Sequence, residues 1–401
     1  FGILFMTGAQ RQDSAPSKTA LWRRPVFRST VFQVLLILAV IGIANYLFTN
    51  TLQNLEQRGI STGFGFLDNE SGFGVVQSLI EYDETHTFGR TFVVGLLNTI
   101  LVSGLGIILA TIVGFLMGVA RLSSNWLIAR LATVYVETFR NIPLLLQIMF
   151  WYFAVLQPLP GPRQSLELGT SVFLNNRGLY LPAPVFEPGF GMVLTALLAA
   201  ILIVIFVARW AHRRQEATGQ QFHAVYFSLG ILLGLPLVVF LVTGSPLSWE
   251  YPELRGFNFR GGTVVIPELA ALLLALSIYT ASFIAEAVRS GILAVSHGQT
   301  EAAYALGIRP GLTLRLVIIP QALRVIIPQL TSQYLNLTKN SSLATAVGYP
   351  DLVAVFAGTT LNQTGQAVEV IAMTMGVYLT ISLLISLFMN WYNKKKQLVE
   401  R

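Results

Sequence analysis

The sequence predicts an all-α polytopic membrane protein with about eight transmembrane helices and both termini on the cytoplasmic side. Three observations carry this expectation. Of the 401 residues, 54% are hydrophobic and only 11% charged, well below the ~25% charge of a soluble domain. Eight stretches reach the ~20 predominantly apolar residues that a bilayer requires. The basic residues also segregate between the sides that those stretches separate.

In chain order the stretches run from Val26 to Phe48, Thr91 to Ala120, Leu131 to Leu156, Gly191 to Trp210, Phe222 to Val242, Pro267 to Ser290, Leu323 to Val347 and Val368 to Trp391. The seventh holds Lys339, Asn340, Ser341 and Ser342, and the chain stays apolar from Leu343 to Leu361. A helix interrupted in mid-membrane and one that spans later are both compatible with it. With the N-terminus inside, nineteen Lys and Arg fall on the cytoplasmic side and six outside, as the positive-inside rule requires. Residues 1–25 read as a disordered basic cytoplasmic arm, with the five residues before Met6 set aside, and residues 394–401 as a basic cytoplasmic tail. The outer loops 49–90, 157–190 and 243–265 are acidic in the first case and rich in Pro and Gly in the others. They read either as an external docking face or simply as solvated connections.

Several function classes lack support. There is no cysteine, hence no thiolate metal site or cysteine nucleophile. None of the five lysines follows a glycine, so the chain has no P-loop for ATP. The histidines His86, His212, His223 and His297 lack metal-ligand spacing, and no Gly-x-Ser-x-Gly elbow occurs. No catalytic residue, metal site or bound cofactor is expected, and the net charge of +7 points to membrane sidedness rather than to nucleic acid.

The segment from Ser296 to Pro320 is too polar to cross the bilayer and falls on the cytoplasmic side. Ser296 and Gln299 have the spacing of a capping box. A short helix through Glu301, Ala302 and Ala303 is expected to stop at Gly307, which supplies a left-handed cap. Thr313 is expected to cap a second helix, which Pro320 kinks by removing an amide donor.

Glu301-Ala302-Ala303, Gly307 and the later Val317, Ile319 and Pro320 together resemble the EAA loop of inner-membrane permease subunits of binding-protein-dependent ABC importers. Family members prefer Ile and Leu where Val317 and Ile319 stand. The runs from Tyr135 to Gln147, from Ala285 to Ile292 and from Lys339 to Ala344 resemble segments of polar amino acid permeases, general L-amino acid and glutamate, glutamine, aspartate and asparagine importers included. The resemblance implies a type I importer core built from the second, third, sixth, seventh and eighth helices, in segments 91–156 and 267–393. Residues 26–90 and 157–266 are then additions. It further implies a coupling helix around Glu301, Ala302, Ala303, Gly307 and Pro320 that docks on a separate, dimeric ATPase subunit carrying ATP and Mg. A second homologous permease in a heterodimer, a periplasmic amino-acid-binding protein and an L-amino acid substrate complete the expected set, in the lipid of a bacterial inner membrane. The alternative is a secondary transporter or channel for a small polar solute without an ATPase.

Charges within the spans complete the picture. Glu137 with Arg140, and Glu286 with Arg289, are three residues apart and so share a helix face. Each pair reads either as a structural ion pair or as a gate on the path. Lys339 has no acid within a helical turn. It either pairs with Glu268, Asp351 or Glu369, or faces a cavity and a substrate carboxylate. Asn336, Thr338, Asn340, Ser341 and Ser342 either contact solute beside it, hold an unwound backbone or make interhelical hydrogen bonds.

Overall fold

A computed structural model describes residues 25–57, 59, 62–220 and 222–396. The N-terminal arm and most of the C-terminal tail lie outside the described residues. The chain forms two compact units, residues 1–66 with 364–369 and residues 67–363 with 370–401. In the first, α1 (Pro25–Gln57) is apolar and exposed along its described length, and the Glu369 carboxylate accepts the Gly63 N–H at 2.6 Å.

The second unit carries the core. α2 (Phe88–Ala120) is capped by the Thr87 hydroxyl and packs along α7. α3 (Trp126–Asn141) and α4 (Leu144–Met149) follow, with a π-helical turn over Phe150–Leu156. Strands β1 (Leu166–Glu167), β2 (Phe173–Asn175), β3 (Gly178–Leu181) and β4 (Ala183–Phe186) lead into α5 (Phe190–Thr218) and α6 (Ala224–Val242). Next come β5 (Leu247–Glu250), β6 (Glu253–Arg255), β7 (Asn258–Arg260) and β8 (Thr263–Val265), then α7 (Pro267–Leu293), α8 (His297–Ala305) and α9 (Pro310–Thr313). A second π-helical turn (Leu314–Ile318) joins α9 to α10 (Ile319–Asn340), and a 3-10 segment (Ser341–Val347) ends that span. A third π-helical segment (Val353–Thr360), α11 (Leu361–Thr364) and α12 (Ala367–Lys396) close the chain.

Two findings differ from the sequence reading. The third stretch is two helices bent by 106°. Pro143 lies at the break because its ring and missing N–H end α3, and Gln147 there donates to the orphaned carbonyls of Phe139 and Ile142, both at 3.0 Å. The contacts of the bent pair lie at opposite ends of its neighbours, as for one broken span. Just before the bend Glu137 meets Arg121 at the end of α2, while Tyr152 near the far end donates to Glu268 in the first turn of α7 at 2.9 Å. Among the described residues seven helices are long and apolar enough to cross a membrane, and eight with the bent pair taken as one span. The second difference is the β-structure in loops read only as Pro- and Gly-rich. β1, β2, β3 and β8 form one antiparallel sheet, and β4–β5 and β6–β7 form two-stranded ribbons. Strands of two to four residues are too short to show an alternating pattern.

Close helix approach depends on small side chains, as is usual in membranes. A Cβ on Gly118 of α2 would sit 2.7 Å from Val288 and 2.8 Å from the Ala285 carbonyl oxygen of α7. A Cβ on Gly95 would meet the Leu352 backbone at 3.0 Å. The buried centre is α7, whose Leu272, Leu276 and Ile284 are fully enclosed among α2, α3, α4 and α10.

Candidate functional site

Three groups of polar residues stand out against this apolar frame, and the first is α8. Gly307 ends it at φ +74°, with Ile308 N–H on the Ala303 carbonyl at 3.0 Å and Gly307 N–H on the Tyr304 carbonyl at 2.9 Å. This is a Schellman cap, as expected of glycine there. The expected capping box does not form. Ser296 makes no side-chain cap bond, and the Gln299 side-chain oxygen instead accepts from Gln321 of α10 at 3.3 Å, because tying two helices together competes with closing one.

Thr313 is not a cap either. It is the buried last residue of α9, its hydroxyl donating back to the Arg309 carbonyl at 3.2 Å, while Pro310 starts that helix with its preset φ. The expected kink at Pro320 is a π-helical turn. Ile319 N–H reaches back five residues to the Leu314 carbonyl, so the missing donor of Pro320 falls where the helix is already widened.

Ala303 is buried in this hook, whereas Glu301, Ala302, Tyr304 and Leu306 are exposed, Leu306 to 80%. Glu301 pairs with His297 at 3.1 Å on an open surface, a contact of little energetic weight. The α8 face is therefore a small apolar platform with one carboxylate.

The second group is the exposed side of α10. Gln329, Ser332, Asn336 and Lys339 recur at helical spacing and are all exposed. Among the described residues the Lys339 ammonium makes no ion pair or hydrogen bond. The three acids offered to it are engaged elsewhere: Glu268 by Tyr152, Glu369 by Gly63, and Asp351 by the Tyr378 hydroxyl at 3.2 Å and the Ala354 N–H at 2.8 Å. Asn340 is half-buried. Thr338 and Ser341 are buried, with hydroxyls donating to the carbonyls of Tyr334 and Thr338 at 2.9 and 2.8 Å. Ser342 bonds the Lys339 carbonyl at 2.7 Å. The hydroxyls thus secure the change from α-helix to 3-10 geometry, and Asn336 and Lys339 remain open.

The third group is an ionic knot at the cytoplasmic end of α2, α3 and α7. Glu286 and Arg289 pair as expected, at 3.1 and 2.6 Å. Glu137 and Arg140 do not. Arg121, its side chain 11% exposed, bridges Glu286 of α7 and, at 3.6 Å, Glu137 of α3, while Arg140 lies 5.2 Å from the ring centre of Phe283. An arginine between two carboxylates outcompetes a same-helix pair because it answers both charges, and Arg140 is compensated by the aromatic face.

Two residues were missed by sequence reasoning. Arg121 had no same-helix partner to mark it. Asn98 is fully buried in α2 and donates to the carbonyls of Gln77 and Pro350, both at 2.9 Å, and Tyr349 donates to its own carbonyl at 3.2 Å. A lone amide in an apolar run was the available signal.

Comparison with known proteins adds three relatives and a family. Residues 222–397 match the binding-protein-dependent transport system inner membrane components. Over 377 residues, 94% of this chain and 96% of the relative, the sequence is 57% identical to the putative amino-acid ABC transporter permease protein YhdX of Escherichia coli. It is 55% identical over 377 residues, 94% of each, to the general L-amino acid transport system permease protein AapQ of Rhizobium johnstonii. It is 47% identical over 408 residues, 94% of this chain and 95% of the relative, to the glutamate/glutamine/aspartate/asparagine transport system permease protein BztB of Rhodobacter capsulatus.

Proposed function

The chain belongs to the family of binding-protein-dependent inner membrane components and is a permease subunit of an ABC transporter, and from that premise we propose that it imports L-amino acids across a bacterial inner membrane. The observation that carries the substrate reading is Lys339, an unpaired ammonium beside Asn336 on the exposed face of a spanning helix. An intramembrane cation without a protein partner belongs on a watered path, where it complements the α-carboxylate common to all amino acids. Asn336, with half-buried Asn340 and Ser342 close by, supplies neutral hydrogen-bonding groups at the same level, and Thr338 and Ser341 hold the backbone that presents them.

In this reading the α8 platform, Glu301, Ala302, Ala303 and Gly307, seats in a cleft of an ATPase dimer that holds ATP and Mg. Pro320 and the π-helical turn pass its movement to α10. A second, homologous permease forms a heterodimer with this chain and supplies the other coupling helix, and a periplasmic binding protein delivers the amino acid. The ionic knot is the structural joint that keeps α2, α3 and α7 together as α8 moves.

Uptake into vesicles by the assembled importer tests both parts. Lys339→Ala is expected to raise the half-saturating amino acid concentration about tenfold or more, the effect of losing a charged hydrogen bond of ~1.5–3 kcal/mol. Unchanged uptake of every amino acid tried would make Lys339 structural. Gly307→Val, which forces a β-branched residue to positive φ, and Glu301→Ala are expected to separate ATP hydrolysis from uptake while the subunit stays in the membrane. Full coupling in both variants would remove α8 from this role.

A further inference from the structure

An apolar cavity of 610 Å³ opens at the cytoplasmic end of the core, behind the hook that carries α8. Its walls include Phe115 and Val119 of α2, Ile128 of α3, Val288 of α7, Leu314 of the π-helical turn and Ile326 of α10. Ser123 is the one polar side chain among the lining residues, and its hydroxyl already accepts the Asn125 N–H at 3.2 Å. Ordered water needs two or more polar partners, so this space favours hydrocarbon. Its volume falls in the ~300–1,000 Å³ range of sites that bury organic ligands.

Depth and charge select the ligand. The wall is the last turn and a half of one spanning helix and the first turns of another, which places it in the inner leaflet. Trp126, 75% exposed at the start of α3, stands at the headgroup level favoured by indoles. Arg315 follows the lining Leu314 and precedes the lining Ile319 by one turn, and Arg130 lies one turn beyond Trp126. Both are exposed and neither makes an ion pair among the described residues, since Glu137 and Glu286 are held by Arg121 and Arg289. A dry pocket under a cationic rim fits a lipid with a negative headgroup.

We infer that this cavity binds an anionic phospholipid of the inner leaflet, with one acyl tail between α2 and α10 and the phosphate against Arg315, Arg130 adding to the attraction. The tail would brace the π-helical turn against α2, so that the lipid stiffens the link between α8 and the span that follows it. Binding can be read without any transport assay, and so stands or falls apart from the amino acid reading.

The full chain, purified with its accompanying subunits, is placed in nanodiscs of phosphatidylglycerol or phosphatidylcholine bearing a diazirine in one tail. Photolabelling is expected to concentrate on Phe115, Val119 and Ile326 and to be about fivefold weaker with phosphatidylcholine, the gain one arginine gives near an anionic headgroup. Val119→Trp, at an exposed lining position, should abolish labelling of Ile326 in a monodisperse protein. Arg315→Gln should narrow the difference between the two lipids, and adding Arg130→Gln should make them equivalent. Labelling of the cavity no stronger than that of lipid-facing Leu233 on α6 would overturn the inference, as would equal labelling by both lipids in the parent protein. Capture of a second polypeptide through a benzophenone at Val119 would also overturn it, by assigning the space to a partner helix.

Discussion

α6 and α7 are both long, uncharged through most of their length and able to span a bilayer, yet their surroundings are opposite. Two-thirds of the apolar window of α7 is buried within the protein and none of that of α6 is. The more enclosed helix is also the less apolar one, since its buried face includes Ala271, Ala275, Ser277, Thr280, Ala281 and Gly291. Lipid and protein interior are equally hydrophobic, so apolarity does not sort helices between them. What does is the size of the side chains, because van der Waals contact between helices improves as backbones approach. Gly230 and Gly234 of α6 have nothing within reach of an added Cβ, whereas Gly114 and Gly118 of α2 do, against Ile284 and Val288 of α7.

The largest break in this contrast comes from one substitution made on both sides. Gly118→Leu is expected to prevent assembly of the core, because the Ala285 carbonyl is backbone and cannot yield, and overpacking by several methylenes exceeds the ~1–3 kcal/mol of a tolerated core insertion. Gly230→Leu, at a helix surface, is expected to leave the protein unchanged. The fraction surviving as a monodisperse peak in detergent checks both. Equal losses would mean that α6 packs on a surface as closely as α7 does.

Arg121→Ala is expected to act less severely. It removes the bridge between α3 and α7; Glu286 keeps its bond to Arg289, so that only Glu137, 55% exposed, is left without a partner. The expected loss is about 1–2 kcal/mol, a charge-assisted bond discounted for solvent, seen as a lowered unfolding midpoint. Glu137→Gln should be near neutral in the Arg121→Ala background, and a full further loss would show that Glu137 has another partner.

These contrasts also explain how much the sequence disclosed. The long apolar helices among the described residues were legible, because the length of an apolar run is a one-dimensional property. The Schellman cap at Gly307 and the Glu286–Arg289 pair were legible for the same reason, being contacts within a turn or two. Arg121 was not, since its partners are 16 and 165 residues away, and Arg140 was assigned to Glu137 when Phe283 of another helix holds it. The 106° bend escaped because proline in a membrane helix is compatible with anything from a slight kink to a break, and only the docking of α4 on α7 decides. Lys339 was legible as a charge without an acid within a helical turn, its pairing left open, and Thr338 and Ser341 could not be told from Asn336 until the helix face was fixed.

The smallest expected effect follows from how the α5–α6 hairpin is attached. α5 and α6 pack on each other, and the strands that flank them pair directly, Ala183 with Glu250 through Phe186 with Leu247. The two ends of residues 187–246 therefore stand at neighbouring-strand distance, ~4.5–5.5 Å, and a two-residue Asn-Gly turn can join Phe186 to Leu247. Excision removes two spans, so every later segment keeps its side of the membrane, and it removes nothing from the α2–α7–α10 core. The shortened chain is expected to retain uptake within about twofold of the parent, the scale of a ~0.5 kcal/mol surface change. A core that no longer assembles would show that the hairpin is a packing element despite its exposed face. A core that assembles but no longer transports would place on α5 or α6 a contact that the permease makes only in its complex.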